Sequence, residues 1–100
     1  MKRIEIANIR DGMRDMKEIG RLVEVGKPIQ MSTRYGPAMM AKAKLRDDTG
    51  EISLNLWRQQ IHVAAVGDTI ILENAFAKEF KGVVEVNIGI DGRIAVLKDG

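Results

Sequence analysis

The side chains of this chain best suited to holding a flat, charged ligand are its rings and the cations beside them. One hundred residues carry four aromatic side chains: Tyr35, Trp57, Phe76 and Phe80. Two of them stand in "AFAKEFKG" (75–82), interleaved with Lys78 and Lys81. Trp57 closes "EISLNLW" (51–57), and Tyr35 follows Arg34 in "STRYGP". Exposed rings offer faces on which bases stack, and amines or guanidinium groups neutralise phosphate. Each stacked base is worth roughly 1–3 kcal/mol, so three rings supply most of a micromolar affinity and the cations add a salt-sensitive part. A single-stranded nucleic acid requires this combination.

Other chemistries find few candidates. The one histidine, His62, has no nucleophile or cysteine to work with, and a chain without cysteine forms neither a disulfide nor a thiolate metal site. Asp47 and Asp48 are adjacent carboxylates, but they open "DDTG", which turn formation explains. "GRLVEVGKP" (20–28) imitates a phosphate loop but has five residues between its glycines where that loop needs four, and Pro28 where it needs Ser or Thr. No catalytic residue, cofactor or metal is expected. No apolar run approaches the ~20 residues of a membrane span, and "MKRIEIANIR" lacks the apolar core of a signal peptide. A cytoplasmic protein without membrane contact is expected.

The net charge is +2, but its distribution is uneven. From Val25 to Arg46 the chain carries Lys27, Arg34, Lys42, Lys44 and Arg46 and no acid, whereas beyond Ile61 acids outnumber bases. One edge or face is therefore basic, as a polyanion would require, although a solvated basic strand has the same pattern.

The elements that must position these residues are strands. Period-two alternation runs through 18–26, 39–47, 51–57, 68–76, 83–90 and 93–97, with turn signals between. Only "RQQIHVAAV" (58–66) reads as a short helix. This order predicts an all-β closed barrel in one domain, 1–100. With "DDTG" as the turn of a hairpin, Arg46 faces Glu51, Lys44 faces Ser53, Lys42 faces Asn55 and Met40 faces Trp57. The opposite face pairs Leu45 with Ile52, Ala43 with Leu54 and Ala41 with Leu56. Trp57 then lies on the polar face with Asn55 and the lysines, off the core and substantially exposed. Phe76 and Phe80 share parity with Ile70 and Leu72. They point inward with that pair, or outward if a bulge near Asn74–Ala75 reverses the parity. Spacing alone does not choose.

The stretches "LRDDTGEISLNLW" (45–57), "VGDTIILENAFAKEFKG" (66–82) and "VEVNIG" (84–89), with the leader "IRDGMRDM" (9–16), resemble the single-OB-fold single-stranded-DNA-binding proteins of archaea. They also resemble the B subunits of the eukaryotic sensor-of-ssDNA complex and, more distantly, replication protein A. The resemblance covers about residues 7–97. It implies a five-stranded OB barrel with one short helix between strands 3 and 4, and it implies the bulge. Trp57, Phe76 and Phe80 take the places of the family's base-stacking rings. Phosphate contacts are expected from Arg34, Lys42, Lys44, Arg46, Lys78 and Lys81, with Tyr35 and Asn55 beside them. The loop at about 30–38 and the hairpin 78–83 are expected to flank the groove. The implied function is non-enzymatic binding of single-stranded DNA, with little sequence preference, in replication, recombination or repair. A monomer with protein partners in those processes is expected. RNA or tRNA binding, or service as a protein-interaction subunit, is the alternative. Asn87 stands where some eukaryotic members have another aromatic, and the flexible, often acidic tail of many members is absent from these hundred residues.

Overall fold

Alternating apolar side chains leave each strand one face to bury, and the chain buries them by rolling its sheet into a barrel. The computed structural model describes residues 2–97, so Met1 and residues 98–100 of the expected domain lie outside the described residues. The strands are β1 (Met16–Val25), β2 (Ile29–Thr33), β3 (Gly36–Asp47), β4 (Gly50–Trp57), β5 (Thr69–Phe80) and β6 (Val83–Leu97). They pair in the order β1-β5-β6-β4-β3-β2, and β1 pairs with β3 as well, which closes the barrel. β4 and β6 are parallel, with Ser53 opposite Glu85 and Leu54 opposite Val86. β1 serves two neighbours by bulging between Leu22 and Glu24: its first half lies along β5, its second along β3. Where β1 crosses β3 there is no room for a side chain, since a Cβ on Gly20 would come within 2.8 Å of the Arg46 carbonyl oxygen.

The β3–β4 hairpin has the register expected from "DDTG", from Met40 opposite Trp57 to Asp47 opposite Gly50. Ala41, Ala43, Leu45, Leu54 and Leu56 are buried on one face. The turn also anchors the leader. Asp47 accepts hydrogen bonds from the backbone N–H of Ile6, Thr49 and Gly50 and from the Thr49 hydroxyl. Burial pushes its carboxyl up, but these donors prevail and hold it below the ordinary aspartate range. Ile6 and Ile9 of the anchored leader are buried against the core.

Three local expectations are corrected. The expected loop at 30–38 is a two-stranded arm: β2 pairs with the start of β3 as far as Thr33 opposite Gly36, leaving Arg34 and Tyr35 as its tip. The Thr33 hydroxyl fixes that turn, donating to the Gly36 carbonyl at 2.6 Å and accepting from the Tyr35 N–H at 3.1 Å. The arm supplies the sixth strand. The expected helix over 58–66 is a 3-10 turn, Arg58–His62, with no buried residue. A segment this short does not sustain an α-helix by propensity, and its core-facing Ile61 and Ala64 are only partly buried. Finally, 83–90 and 93–97 are one strand, β6. Ala75 lies opposite Ile88 but Glu73 opposite Arg93, so residues 89–92 arch away from β5, and the turn signal "DGR" belongs to this arch.

One core position breaks the apolar rule. Glu18 alternates with Met16, Gly20 and Leu22 on the inward face of β1 and is fully buried. Neither carboxylate oxygen has a hydrogen-bond partner among the described residues. Burial, with a smaller contribution from the Asp47 charge, raises its pKa from 4.5 to about 7. The unfolded chain then ionises before the folded one, so this group withdraws stability as pH rises from about 4.5 to about 7. The displacement corresponds to roughly 3 kcal/mol at its upper end. Glu18→Gln is expected to match the wild type in denaturant midpoint at acid pH and to exceed it increasingly through that window. Equal midpoints above neutral pH would refute a destabilising buried carboxylate.

Candidate nucleic-acid interface

The outer surface of the β3-β4-β6-β5 sheet carries the sequence-predicted rings and bases. On β5 the parity question is settled by a bulge at Asn74, whose φ is 56°. Asparagine is among the few side chains that visit this left-handed conformation routinely. Ile70 and Leu72 before it are buried, and so are Ala75 and Ala77 after it. Phe76, Lys78 and Phe80 therefore point outward, with Phe76 half-buried and Phe80 56% exposed. Two alanines take the inward places that the phenylalanines would otherwise fill. The side-chain amide of Asn74 donates to the Asp91 carbonyl of the facing arch at 3.2 Å, which ties the two irregularities together.

Register aligns the face across strands. Phe76 lies opposite Asn87, Lys78 opposite Glu85 and Phe80 opposite Val83. Lys42 lies opposite Asn55 and Lys44 opposite Ser53. Between the rings is a polar network. Asn87 accepts from the Trp57 indole N–H at 3.1 Å and from the Asn55 amide at 3.3 Å. Asn55 also donates to Glu85 at 3.2 Å, and the Lys42 ammonium reaches Glu85 at 2.5 Å and Asn55 at 3.3 Å. Asn55 and Glu85 are buried. Trp57 lies on the outer face as expected but is half-buried rather than substantially exposed, because this network holds its ring edge against the sheet. The chain leaves Trp57 through Arg58 at φ 55°, and Gln60 accepts from the Trp57 backbone N–H at 2.9 Å.

The cations divide into two groups. Lys42 is paired with Glu85, and Arg46 with Glu51 at 2.7 Å. Lys44, Lys78 and Lys81 have no ion pair among the described residues. Lys81 stands 5.3 Å from the centroid of the Phe80 ring. It forms the β5–β6 turn with Gly82, both at positive φ (50° and 82°), as a tight two-residue hairpin requires. Arg34 and the 83% exposed Tyr35 are carried away on the arm, beyond the Trp57 end of β3. The hairpin tip lies at the opposite end of the strands, beside Phe80.

Glu85 was absent from the residues singled out by sequence, and Asn87 was noted only as standing where some eukaryotic members have an aromatic. Their alternation with Val84, Val86 and Ile88 places them on the outer face, but only the parallel β4–β6 pairing brings them to Asn55 and Trp57. Among the described residues, no group of three or more His, Cys, Asp or Glu side chains could hold a metal ion.

A closed barrel with an aromatic, partly basic outer face defines an OB-fold binding module. The family described as single-stranded DNA binding protein Ssb-like, OB fold, matches residues 10–96, and the chain belongs to that family. It is 29% identical over 91 residues to the single-stranded DNA binding protein Ssb of Saccharolobus solfataricus, covering 91% of this chain and 62% of that protein. It is 27% identical over 95 residues to Replication factor A of Methanothermobacter thermautotrophicus, covering 94% of this chain and 12% of that one. The chain thus spans less than two thirds of the length of either relative. A solved structure of the replication factor A related protein from Methanobacterium thermoautotrophicum superposes with a TM-score of 0.78 at 24% identity, over 96% of this chain and 91% of that one, which shows the shared fold.

If Asn74 sets the direction of both phenylalanines, its backbone conformation is worth protecting. Asn74→Gly is expected to keep the bulge. Asn74→Val, β-branched at a positive φ, is expected to lower stability by about 1–2 kcal/mol in denaturant titration. A valine variant as stable as the glycine variant would count against the bulge.

Proposed function

We propose that this face binds single-stranded DNA, as the names of the relatives suggest, by stacking bases on Trp57, Phe76 and Phe80 and placing phosphates on the flanking cations. The observation that carries the reading is the bulge at Asn74. It turns two phenylalanines out of the core onto the same face as Trp57, where packing does not need them. Stacking tolerates any base, so little sequence preference is expected along the rings. The proposed roles divide as the geometry does: Lys44, Lys78 and Lys81 for phosphate, Arg34 and Tyr35 of the arm for the end of the strand near Trp57, and Lys42, Asn55 and Arg46 mainly for holding the face together. We further propose that residues 1–100 act as one non-enzymatic domain, a cytoplasmic monomer serving replication, recombination or repair. No helix of the described residues is long and apolar enough to cross a membrane.

Trp57 is the sole tryptophan, so titration of its fluorescence with dT and rU oligomers tests the reading directly. Quenching by dT supports it. Quenching by rU alone turns the assignment to RNA, and quenching by neither turns the rings into anchors for a protein partner.

Phe80→Ala and Phe76→Ala are each expected to weaken dT binding by about 1–3 kcal/mol with the fold intact by circular dichroism. Phe80, the more exposed ring, is the cleaner case. An unfolded Phe80 variant would assign that ring to packing.

Salt dependence follows from the free cations. With three or four of Arg34, Lys44, Lys78 and Lys81 engaged, log K is expected to fall with log salt at a slope of about −2 to −3, at about −0.7 per phosphate on a single strand. Glu85→Gln removes the charge that holds Lys42 and is expected to steepen that slope by about 0.7. An unchanged slope would show that Lys42 does not reach phosphate.

A further inference from the structure

The aromatic face does not end at Phe76. Beyond it, on the edge of β5 away from β6, the leader runs alongside the strand, with the Gly12 N–H donating to the Ala77 carbonyl and the Ala77 N–H to the Met13 carbonyl. The leader and the arch 89–92 of β6 rise on either side of β5 and enclose an open cleft of about 720 Å³. That volume lies within the roughly 300–1,000 Å³ of small-ligand sites. Phe76 and Lys78 line both the cleft and the aromatic face, so the two are continuous. A Cβ on Gly89, at the start of the arch, would come within 4.0 Å of the Phe76 ring.

The lining differs from that of the face. Ile90 is fully exposed on the arch, an apolar surface beside a ring. Arg14 enters from the leader, and neither it nor Lys78 has an ion pair among the described residues. Asp11 is occupied in holding the leader, since its carboxylate accepts from the Glu79 N–H at 2.7 Å. The carboxylates of Asp15 and Asp91 also line the cleft and accept no hydrogen bond from the described residues. A carboxylate only accepts, so it repels phosphate and suits an N–H donor.

We propose that this cleft is a further nucleotide subsite, next along the strand after the base on Phe76, and that it favours bases bearing an exocyclic amine. The inference rests on the DNA-binding reading above. The base lies against Ile90 and the edge of Phe76, its phosphate meets Arg14 or Lys78, and its amine donates to Asp15 or Asp91. Cytosine, adenine and guanine each carry such an amine, and carboxylates accept from that of cytosine in other protein–DNA contacts. Thymine has no amine, and its one ring donor is flanked by carbonyl oxygens that a carboxylate repels. Sequence tolerance along the rings thus ends in a bias at one position.

The test compares fluorescence anisotropy of labelled dC and dT oligomers of equal length on the full chain. The wild type is expected to hold dC about tenfold more tightly or better, the effect of one added hydrogen bond to a charged group. Asp15→Asn with Asp91→Asn is expected to bring the ratio close to one. Both positions are exposed, and asparagine tolerates the positive φ of Asp15, so the fold is retained. Ile90→Ser is expected to weaken both oligomers several-fold without changing their ratio. If the double variant keeps the wild-type ratio, or Ile90→Ser binds as the wild type does, the subsite is overturned and the DNA-binding face stands. If the wild type binds neither oligomer, the DNA reading itself is overturned, and the subsite with it.

Discussion

Asn74 holds its backbone at φ 56°, and from that one conformation the two ends of β5 acquire opposite facings. Before it, Ile70 and Leu72 fill the barrel; after it, alanines do, and the aromatic side chains turn outward. Without the extra residue, two large rings would enter an interior in which Leu45, Leu54 and Leu56 are already fully buried, and an overfilled core costs roughly 1–3 kcal/mol for each misfit. The bulge thus serves core and surface together. The residue that β5 gains is counted against β1, which advances two positions from Met16 to Glu18 while β5 advances three from Leu72 to Ala75; against β6 the surplus lies on the other strand, where residues 89–92 arch over Asn74.

The outer face is organised by hydrogen bonds beneath its rings as much as by the rings. Glu85 draws in Lys42 and Asn55, and Asn87 draws in Asn55 and Trp57, so groups from three strands form one connected network. A buried carboxylate on a face proposed to bind a polyanion looks contradictory by charge alone. Its partner resolves the conflict: the Lys42 charge offsets it, and the pair holds Asn55, whose amide also donates to the Asn87 that accepts from the tryptophan. Glu18 is the opposite case, a buried carboxylate without a hydrogen-bond partner among the described residues, which lowers stability near neutrality.

The hairpin 39–57 was legible residue by residue, because alanines opposite leucines on one face and lysines opposite Ser53 and Asn55 on the other leave a single register that segregates them. Phe76 and Phe80 were legible as rings among lysines but not in direction, since a bulge is a backbone event and its only local mark is an asparagine, a residue that marks turns as readily. The network roles of Glu85 and Asn87 were not legible for a different reason. Their partners are 30 or more positions away in sequence, across a parallel pairing that no local pattern announces. The arm 29–40 was missed because its polar alternation reads equally as loop, and its turn depends on one threonine hydroxyl.

The bond from the Trp57 indole to Asn87 has an optical consequence. The chain contains a single tryptophan, and its ring is pinned at the N–H while its backbone is fixed by Gln60. Its emission therefore comes from one orientationally restrained dipole, polar on one edge and open on a face. The depolarisation of that emission follows the tumbling of the whole barrel and not the wobble of a loose side chain. The emitter is built into the same surface that is proposed to bind DNA.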